Sequence, residues 1–463
     1  MSPSQALPAV LDRIDADLEK SLERLFAFLR IPSVSTDPAF AGHCRAAAQY
    51  VSDDLASLGF DSAVKPTAGH PVVLAKSAGN GSPHVLFYGH YDVQPVDPLD
   101  LWDTPPFEPR MDTLPDGRKA IFARGACDDK GQLMTFIEAC RAYKAVTGSL
   151  PLPITVMIEG EEEMGSKNLP PFVEANAAAL KADLALVCDT GMWDPKTPAI
   201  TTSLRGLVYE EVKIRAANCD LHSGLYGGAA ANPIRVLNRI LGAMHDDEGR
   251  VTLPGFYDGV RELPADVKRQ WSALDLTAER FLGPIGLSVP AGEKGRLLFE
   301  QVASRPTAEV NGIWGGYTGD GSKTVIPGAA SAKVSFRLVG EQDPEAVRAA
   351  FRAFVRARLP ADCSAEFIDH AGAPAFSLDW TMPQLAAART ALTEEWGRDA
   401  LLLGGGGSIP IINAFKQRLG MDTLMIGFAL EDDRVHSPNE KYDLTSFYKG
   451  TRSWARVLAT LAG

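Results

Sequence analysis

At the start of the chain apolar side chains fall at helical intervals. Leu11, Ile14, Leu18, Leu22, Leu25 and Leu29 form one series, and Ala47, Tyr50, Val51, Leu55 and Leu58 a second that ends at Gly59. Two amphipathic helices are therefore predicted to open the fold. The pattern then shortens to unbroken apolar runs of strand length at Val72–Ala75, Val85–Tyr88, Ile154–Ile158 and Leu184–Val187, with helical stretches over Gln132–Val146 and Pro170–Leu180 between the later runs. Strands without alternation have both faces covered, and their interleaving with helices predicts an α/β fold with a parallel-rich sheet flanked by helices.

From Leu204 the texture changes. Alternation at Val208, Glu210, Val212 and Ile214 predicts a strand with one wet face, and Asn232-Pro233 opens a helix through Val236, Leu237, Ile240 and Leu241. A second such strand, Ala332–Leu338, precedes a helical stretch at Glu345–Arg358, which together suggest a small inserted α+β domain. The first pattern returns near Pro383 with a helix at Leu385–Trp396, an apolar strand at Leu424–Phe428 and a final helix. The expected organisation is a main domain in two pieces, residues 1–203 and 378–463, split by an insertion over 204–377.

Composition narrows the class. A chain of 463 residues exceeds one ordinary core, and 45% hydrophobic with 22% charged residues is globular. No apolar run is long enough to span a bilayer. A net charge of −12 argues against a nucleic-acid partner, which needs clustered Lys and Arg. The start, Met1-Ser2-Pro3-Ser4-Gln5, leads into an acidic amphipathic segment rather than a basic start and apolar middle, so a cytoplasmic location is expected. Cys44, Cys127, Cys140, Cys188, Cys219 and Cys363 are scattered without a Cys-x-x-Cys pair and read as thiols in a reducing compartment.

Five positions carry candidate chemistry because each follows an apolar strand or its adjoining loop, and open parallel sheets place ligands at their carboxyl ends. His90 follows Val85–Tyr88, with Asp92 two residues on, able to orient the imidazole through its second nitrogen. Asp128 and Asp129 sit in Arg124-Gly125-Ala126-Cys127-Asp128-Asp129-Lys130-Gly131, a pattern that an ordinary turn also explains. Glu159, Glu161, Glu162 and Glu163 crowd four carboxylates into five residues directly after a fully apolar strand. Such a run ordinarily marks a solvated loop, but this loop starts from the core, where divalent cations would relieve the repulsion. Asp189 follows Leu184–Val187, and His436 lies in Val435-His436-Ser437-Pro438-Asn439-Glu440-Lys441. Two imidazoles, three ligating carboxylates and a spare glutamate suit two cations about 3.5 to 4 Å apart sharing a carboxylate and a water. In that arrangement Glu163 reaches a metal while Glu162 faces the water and moves its proton. Mixed nitrogen and oxygen ligands favour zinc, with manganese or cobalt as alternatives.

These motifs resemble the M20 metallopeptidases, and within them the carnosinase-like dipeptidases. The resemblance runs through Gly89–Pro95, Asp128–Gly131, Glu159–Ser166, Asp220–Gly224, Thr324–Pro327 and His436-Ser437, covering nearly the whole chain. It implies that His90, Asp128 and Asp189 hold one zinc and His436, Asp128 and Glu163 the other, with Glu162 as general acid/base and Asp92 supporting His90. It implies a cis peptide between Asp128 and Asp129, and makes the insertion a lid that also mediates homodimerisation. His222 would then steady the oxyanion in the partner subunit's site, Arg337 and Thr324 would grip the substrate carboxylate, and Gly407 and Ser408 would supply further contacts.

One departure bears on substrate. Relatives with dipeptidase activity often carry Arg-Glu just before Gly-Gly-Ser-Ile-Pro, whereas this chain has Gly404-Gly405, removing a partner for a free substrate amine. The expected activity is a two-zinc dipeptidase acting on small peptides. Its rival is a deacylase of N-acyl amino acids or related amides, and a metal- or peptide-binding protein without catalysis is a third reading.

Overall fold

The computed structural model describes residues 2–79, 81–407 and 409–463. Contacts group the chain into two compact units, one of Met1–Thr202, Leu378–Leu403 and Pro410–Gly463, the other of Ser203–Ser377 and Gly404–Ile409.

The first unit is built on a mixed sheet whose centre is parallel. Ile154–Glu159, Val85–His90, Leu184–Val187 and Asp422–Met425 lie side by side in that order, each parallel to its neighbour. Antiparallel strands flank them, Val72–Ser77 and then Asp61–Lys65 on one side and Ala199–Leu204 on the other. Every residue of Val85–His90, Ile154–Glu159 and Leu184–Val187 is buried, which accounts for their lack of alternation. Helices Lys130–Thr147 and Leu444–Leu461 pack on this layer through a stacked Phe87–Phe136 pair and the edge of Trp454, with ring centroids 3.7 to 5.8 Å apart.

Three predicted elements differ in detail. The opening helical series is two helices, Pro3–Ala16 and Leu18–Leu29, parted at Asp17 (φ −100°, ψ 8°). Its carboxylate turns to Arg13 and Lys20, a competition that makes Asp a poor helix-interior residue. Pro170–Leu180 likewise divides at Asn176, whose side-chain amide donates to Phe172 O at 2.8 Å. The last parallel strand covers Asp422–Met425 rather than Leu424–Phe428, because the chain then turns off the ladder. A Cβ at Gly427 would fall 2.0 Å from Thr190 O, so only glycine permits that close approach.

The second unit holds a four-stranded antiparallel sheet in the order Thr307–Gly315, Ala329–Leu338, Gly206–Arg215 and Ser364–Ala373. Helices Pro233–Gly242 and Pro344–Arg356 cover one face around Val208, Val212, Leu237, Ile240, Phe336 and Phe351. Glu210 also points into that face and is fully buried, its charge met by Arg348 and Arg352. The two outer strands were not expected from the pattern. Each carries a register shift, at Val310/Gly312 and at Asp369/Ala371, which breaks the phase of alternation.

Among the described residues no helix is long and apolar enough to cross a membrane, and all six cysteines are unpaired.

Candidate metal centre

Parallel strands share a direction, so their carboxyl ends meet at one edge, and the candidate residues of the first unit gather there. His90 is the last residue of its strand. Asp189 follows Leu184–Val187, and the Ile154–Glu159 strand leads into a short 3₁₀ turn, Glu162–Met164. Asp128 immediately precedes Asp129, the N-cap of the Lys130–Thr147 helix, across a cis peptide. His436 stands in the loop beyond the fourth parallel strand at a left-handed φ of 62°, in a segment where Arg434 and Asn439 share that conformation.

These side chains form two clusters that share one residue. His90, Asp128 and Asp189 offer donor atoms within 4.8 Å of one another, and so do Asp128, Glu163 and His436. Asp128 Oδ1 lies 3.1 Å from His90 Nε2, while its Oδ2 lies 2.9 Å from His436 Nε2. Asp189 Oδ2 is 3.9 Å from His90 Nε2, and Glu163 Oε2 is 3.1 Å from His436 Nε2.

Two groups brace the clusters. Asp92 accepts the amide N–H of Glu162 at 3.3 Å on Oδ1 and that of Glu163 at 3.1 Å on Oδ2, and its Oδ1 also lies 3.4 Å from His90 Nδ1. One buried carboxylate thereby orients an imidazole and the turn that carries two glutamates. Gln94 Nε2 donates to Glu163 Oε2 at 2.7 Å, fixing the remaining rotor of that side chain. The acidic run divides its tasks. Glu159 accepts from Tyr88 and Ser166, Glu161 from the His70 amide and from Asn168, and only Glu162 and Glu163 remain for the centre. The Glu162 carboxylate is half-buried and has no hydrogen-bond partner among the described residues.

The charge balance of the site matches cation binding. Although burial works against it, hydrogen bonds from His436 and His90 draw Asp128 well below the usual carboxylate range. Burial, then the charges of Asp128 and Asp129, push Asp189 far above it. Burial also raises Glu162, which His90 opposes and the neighbouring carboxylates reinforce, and burial pushes Asp129 up to about 7. His436 is raised to about 10 by its hydrogen bonds to Asp128 and Glu163. Carboxylates thus outnumber the two imidazoles that could offset them. His90 Nδ1 lies 3.1 Å from the backbone oxygen of Asp92 and Nε2 lies 3.1 Å from Asp128 Oδ1, so both ring nitrogens face oxygen acceptors. A divalent cation in place of the shared Nε2 proton would satisfy the same nitrogen and carboxylates together, and nitrogen with oxygen donors is a set that zinc accepts. The residues therefore fit divalent metal.

The remaining expected residues belong to the second unit. His222 ends a two-residue ladder with Val325–Ile326, is exposed, and accepts the Gly224 amide on Nδ1 at 2.9 Å. Thr324 is its neighbour, accepting the Ser223 amide through its carbonyl at 3.0 Å. Arg337 lies on Ala329–Leu338, in register with Leu207 and Thr307, half-buried and without an ion-pair partner among the described residues. Gly407 is exposed in the Gly404–Ile409 segment, and Ser408 lies outside the described residues. Sequence reasoning gave no separate role to Gln94 or to Asp129, whose Oδ2 accepts the His90 amide at 3.2 Å. Both fall inside motifs that were noticed, but nothing in spacing shows which polar neighbour braces which ligand.

Comparison with known proteins identifies the family and the fold. The model of peptidase family M20/M25/M40 matches residues 86–460. The Cys-Gly metallodipeptidase DUG1 of Saccharomyces cerevisiae is 30% identical over 98% of this chain and 98% of its own. Among solved structures, the M20 family metallo-carboxypeptidase Sso-CP2 from Sulfolobus solfataricus is 31% identical with a TM-score of 0.76, covering 96% of this chain and 99% of that one. Human carnosine dipeptidase 1 is 27% identical with a TM-score of 0.72, covering 99% of both chains. The match spans most of the sequence and the whole fold, and the chain belongs to peptidase family M20/M25/M40, as a metallopeptidase of that family.

Proposed function

We propose that this protein hydrolyses the amide bond of dipeptides using two divalent cations, zinc in the first instance, held by His90, Asp128 and Asp189 and by Asp128, Glu163 and His436. The observation that carries this reading is the placing of the two Asp128 carboxylate oxygens against two different imidazoles, at 3.1 and 2.9 Å. When bound, the cations supply Lewis acidity that activates water and polarises the scissile carbonyl. Glu162, left uncoordinated, takes the proton from that water on its carboxylate and hands one to the departing amine. Asp92 holds His90 and the Glu162–Glu163 turn in one frame, which fixes the acid/base group relative to the ligands. Arg337 and Thr324 bind the substrate's carboxylate end, with Gly407 and Ser408 adding contacts. The names of relatives, a Cys-Gly dipeptidase and a carnosine dipeptidase, support a small peptide with two free ends.

The second reading, an N-acyl amino-acid deacylase, rests on Gly404-Gly405. A Cβ at Gly404 would come within 3.0 Å of Ala303 Cβ and Ser203 Oγ, so a larger residue there requires its neighbours to move. No acidic side chain at 404 or 405 is available to pair with a substrate amine. Rates on matched free and N-acetylated dipeptides separate the two. A dipeptidase is expected to prefer the free form by roughly tenfold or more, since a site that hydrogen-bonds an amine rejects an analogue lacking it. Preference for the acetylated series would move the assignment to the deacylase.

The same reading makes the protein a homodimer through the inserted domain, with His222 serving the active site of the partner subunit. The outer strand Thr307–Gly315 supports this, because it is a sheet edge that exposes Val310, Ile313 and Trp314, each 45 to 51% accessible. Mixing His222→Ala and Glu162→Gln subunits is expected to restore activity, since each mixed dimer regains one intact composite site. Random pairing sets that recovery at about a quarter of the wild-type rate. If subunits exchange and no activity returns, the shared site is wrong.

A further inference from the structure

Glu440 lies four residues beyond His436 and takes no part in the chemistry above, yet both of its carboxylate oxygens are fully engaged. It is fully buried and accepts four hydrogen bonds from one loop. Oε1 receives the amide N–H of Cys127 at 2.9 Å and of Asp128 at 3.0 Å. Oε2 receives the amide N–H of Gly125 at 3.0 Å and the Arg124 guanidinium at 2.8 Å. All four donors come from the loop that ends in Asp128, the residue common to both clusters.

The other end of Glu440 is anchored as firmly. Its own carbonyl accepts the Ala123 amide at 3.2 Å, and Lys441 next to it pairs with Phe122 in an antiparallel ladder. Asn439 accepts the Asp103 amide at 2.9 Å and donates to Leu101 O at 3.0 Å. The His436 loop therefore has a fixed base, and a single rigid side chain reaches from that base to the backbone of Asp128. His436 itself is exposed and carries little packing of its own.

We infer that Glu440 is a positioning residue for the metal centre, setting the separation of Asp128 from His436 and with it the affinity for both cations. The inference rests on the proposed reading that those residues hold metal. Four N–H donors converge on two oxygens, so only an acceptor at both positions satisfies them. Glutamine turns an NH₂ toward one pair of donors, and aspartate is one methylene too short to reach both pairs from the same backbone.

The test compares wild type, Glu440→Gln and Glu440→Asp for zinc affinity by chelator competition, alongside thermal melting of the metal-free proteins. Each folded variant is expected to bind both zinc ions about 10- to 100-fold more weakly, the usual effect of losing a group that holds a ligand, when affinity is read well below the metal-free melting temperature, which loss of the buried Arg124 partner lowers. Weakening of both ions together is a signature that a fold-only role lacks. A folded variant whose affinity stays within about twofold of wild type overturns the inference, on the same scale. Failure of both variants to fold overturns it too, because Glu440 then serves the fold alone. Absence of zinc binding by the wild type is a different result, and removes the metal reading itself.

Discussion

Glu162→Gln is expected to retain its cations and lose turnover by about 10² to 10⁴-fold, the range attributable to one general acid/base group. Each part of that expectation has a separate origin. Glu162 belongs to neither donor cluster, so its loss leaves the metal sites intact. Glutamine matches its size, and the turn is held through the Glu162 amide rather than the side chain, so the backbone stays on Asp92. Burial and the adjacent carboxylates raise the pKa of Glu162, which makes it a stronger base than a solvated glutamate. The amide has no such basicity. Metal content by elemental analysis, read beside kcat, checks both halves, and unchanged kcat would take Glu162 out of the mechanism.

Asp128→Ala is expected to do the opposite, abolishing turnover by removing metal. Its two oxygens face His90 and His436 separately, so both clusters lose a member at once. Asp189→Ala and Glu163→Ala each strip one cluster only. The expected pattern is near-zero zinc in Asp128→Ala where either single-cluster variant keeps one ion under the same dialysis. Lewis-acid stabilisation of several kcal/mol, at about 1.4 kcal/mol per tenfold in rate, puts the loss at about 10³-fold or more. If Asp128→Ala holds as much zinc as Asp189→Ala, the shared-ligand arrangement is refuted.

The site was legible where chemistry coincides with strand ends. His90, Asp189 and the acidic run each follow an apolar run, and an apolar run that ends in charge signals the carboxyl edge of a buried sheet. His436 needed the family resemblance to gain a partner, because its loop lies beyond the ladder and takes left-handed conformations at Arg434, His436 and Asn439. Gln94 and Glu440 escaped assignment for a common reason. A residue that works by hydrogen-bonding another residue's backbone or carboxylate has no periodicity and no characteristic spacing, and only coordinates reveal what it touches. In the second unit, Gly206–Arg215 was readable because one face is dry and the other wet. Thr307–Gly315 was not, since it bulges and exposes apolar side chains.

The wide separation in sequence of His90 and His436 has a bearing on how the protein comes to hold its metal. The imidazole at 90 is made long before the one at 436, and the Leu184–Val187 strand must stand between Val85–His90 and Asp422–Met425 before the His436 loop reaches the same sheet edge. A partly folded chain without the His436 loop thus offers the His90, Asp128 and Asp189 cluster alone, while the cluster of Asp128, Glu163 and His436 is incomplete. Completion of the second cluster is thus a late step of folding, and by mass action a cation held there would add stability to the finished molecule alone.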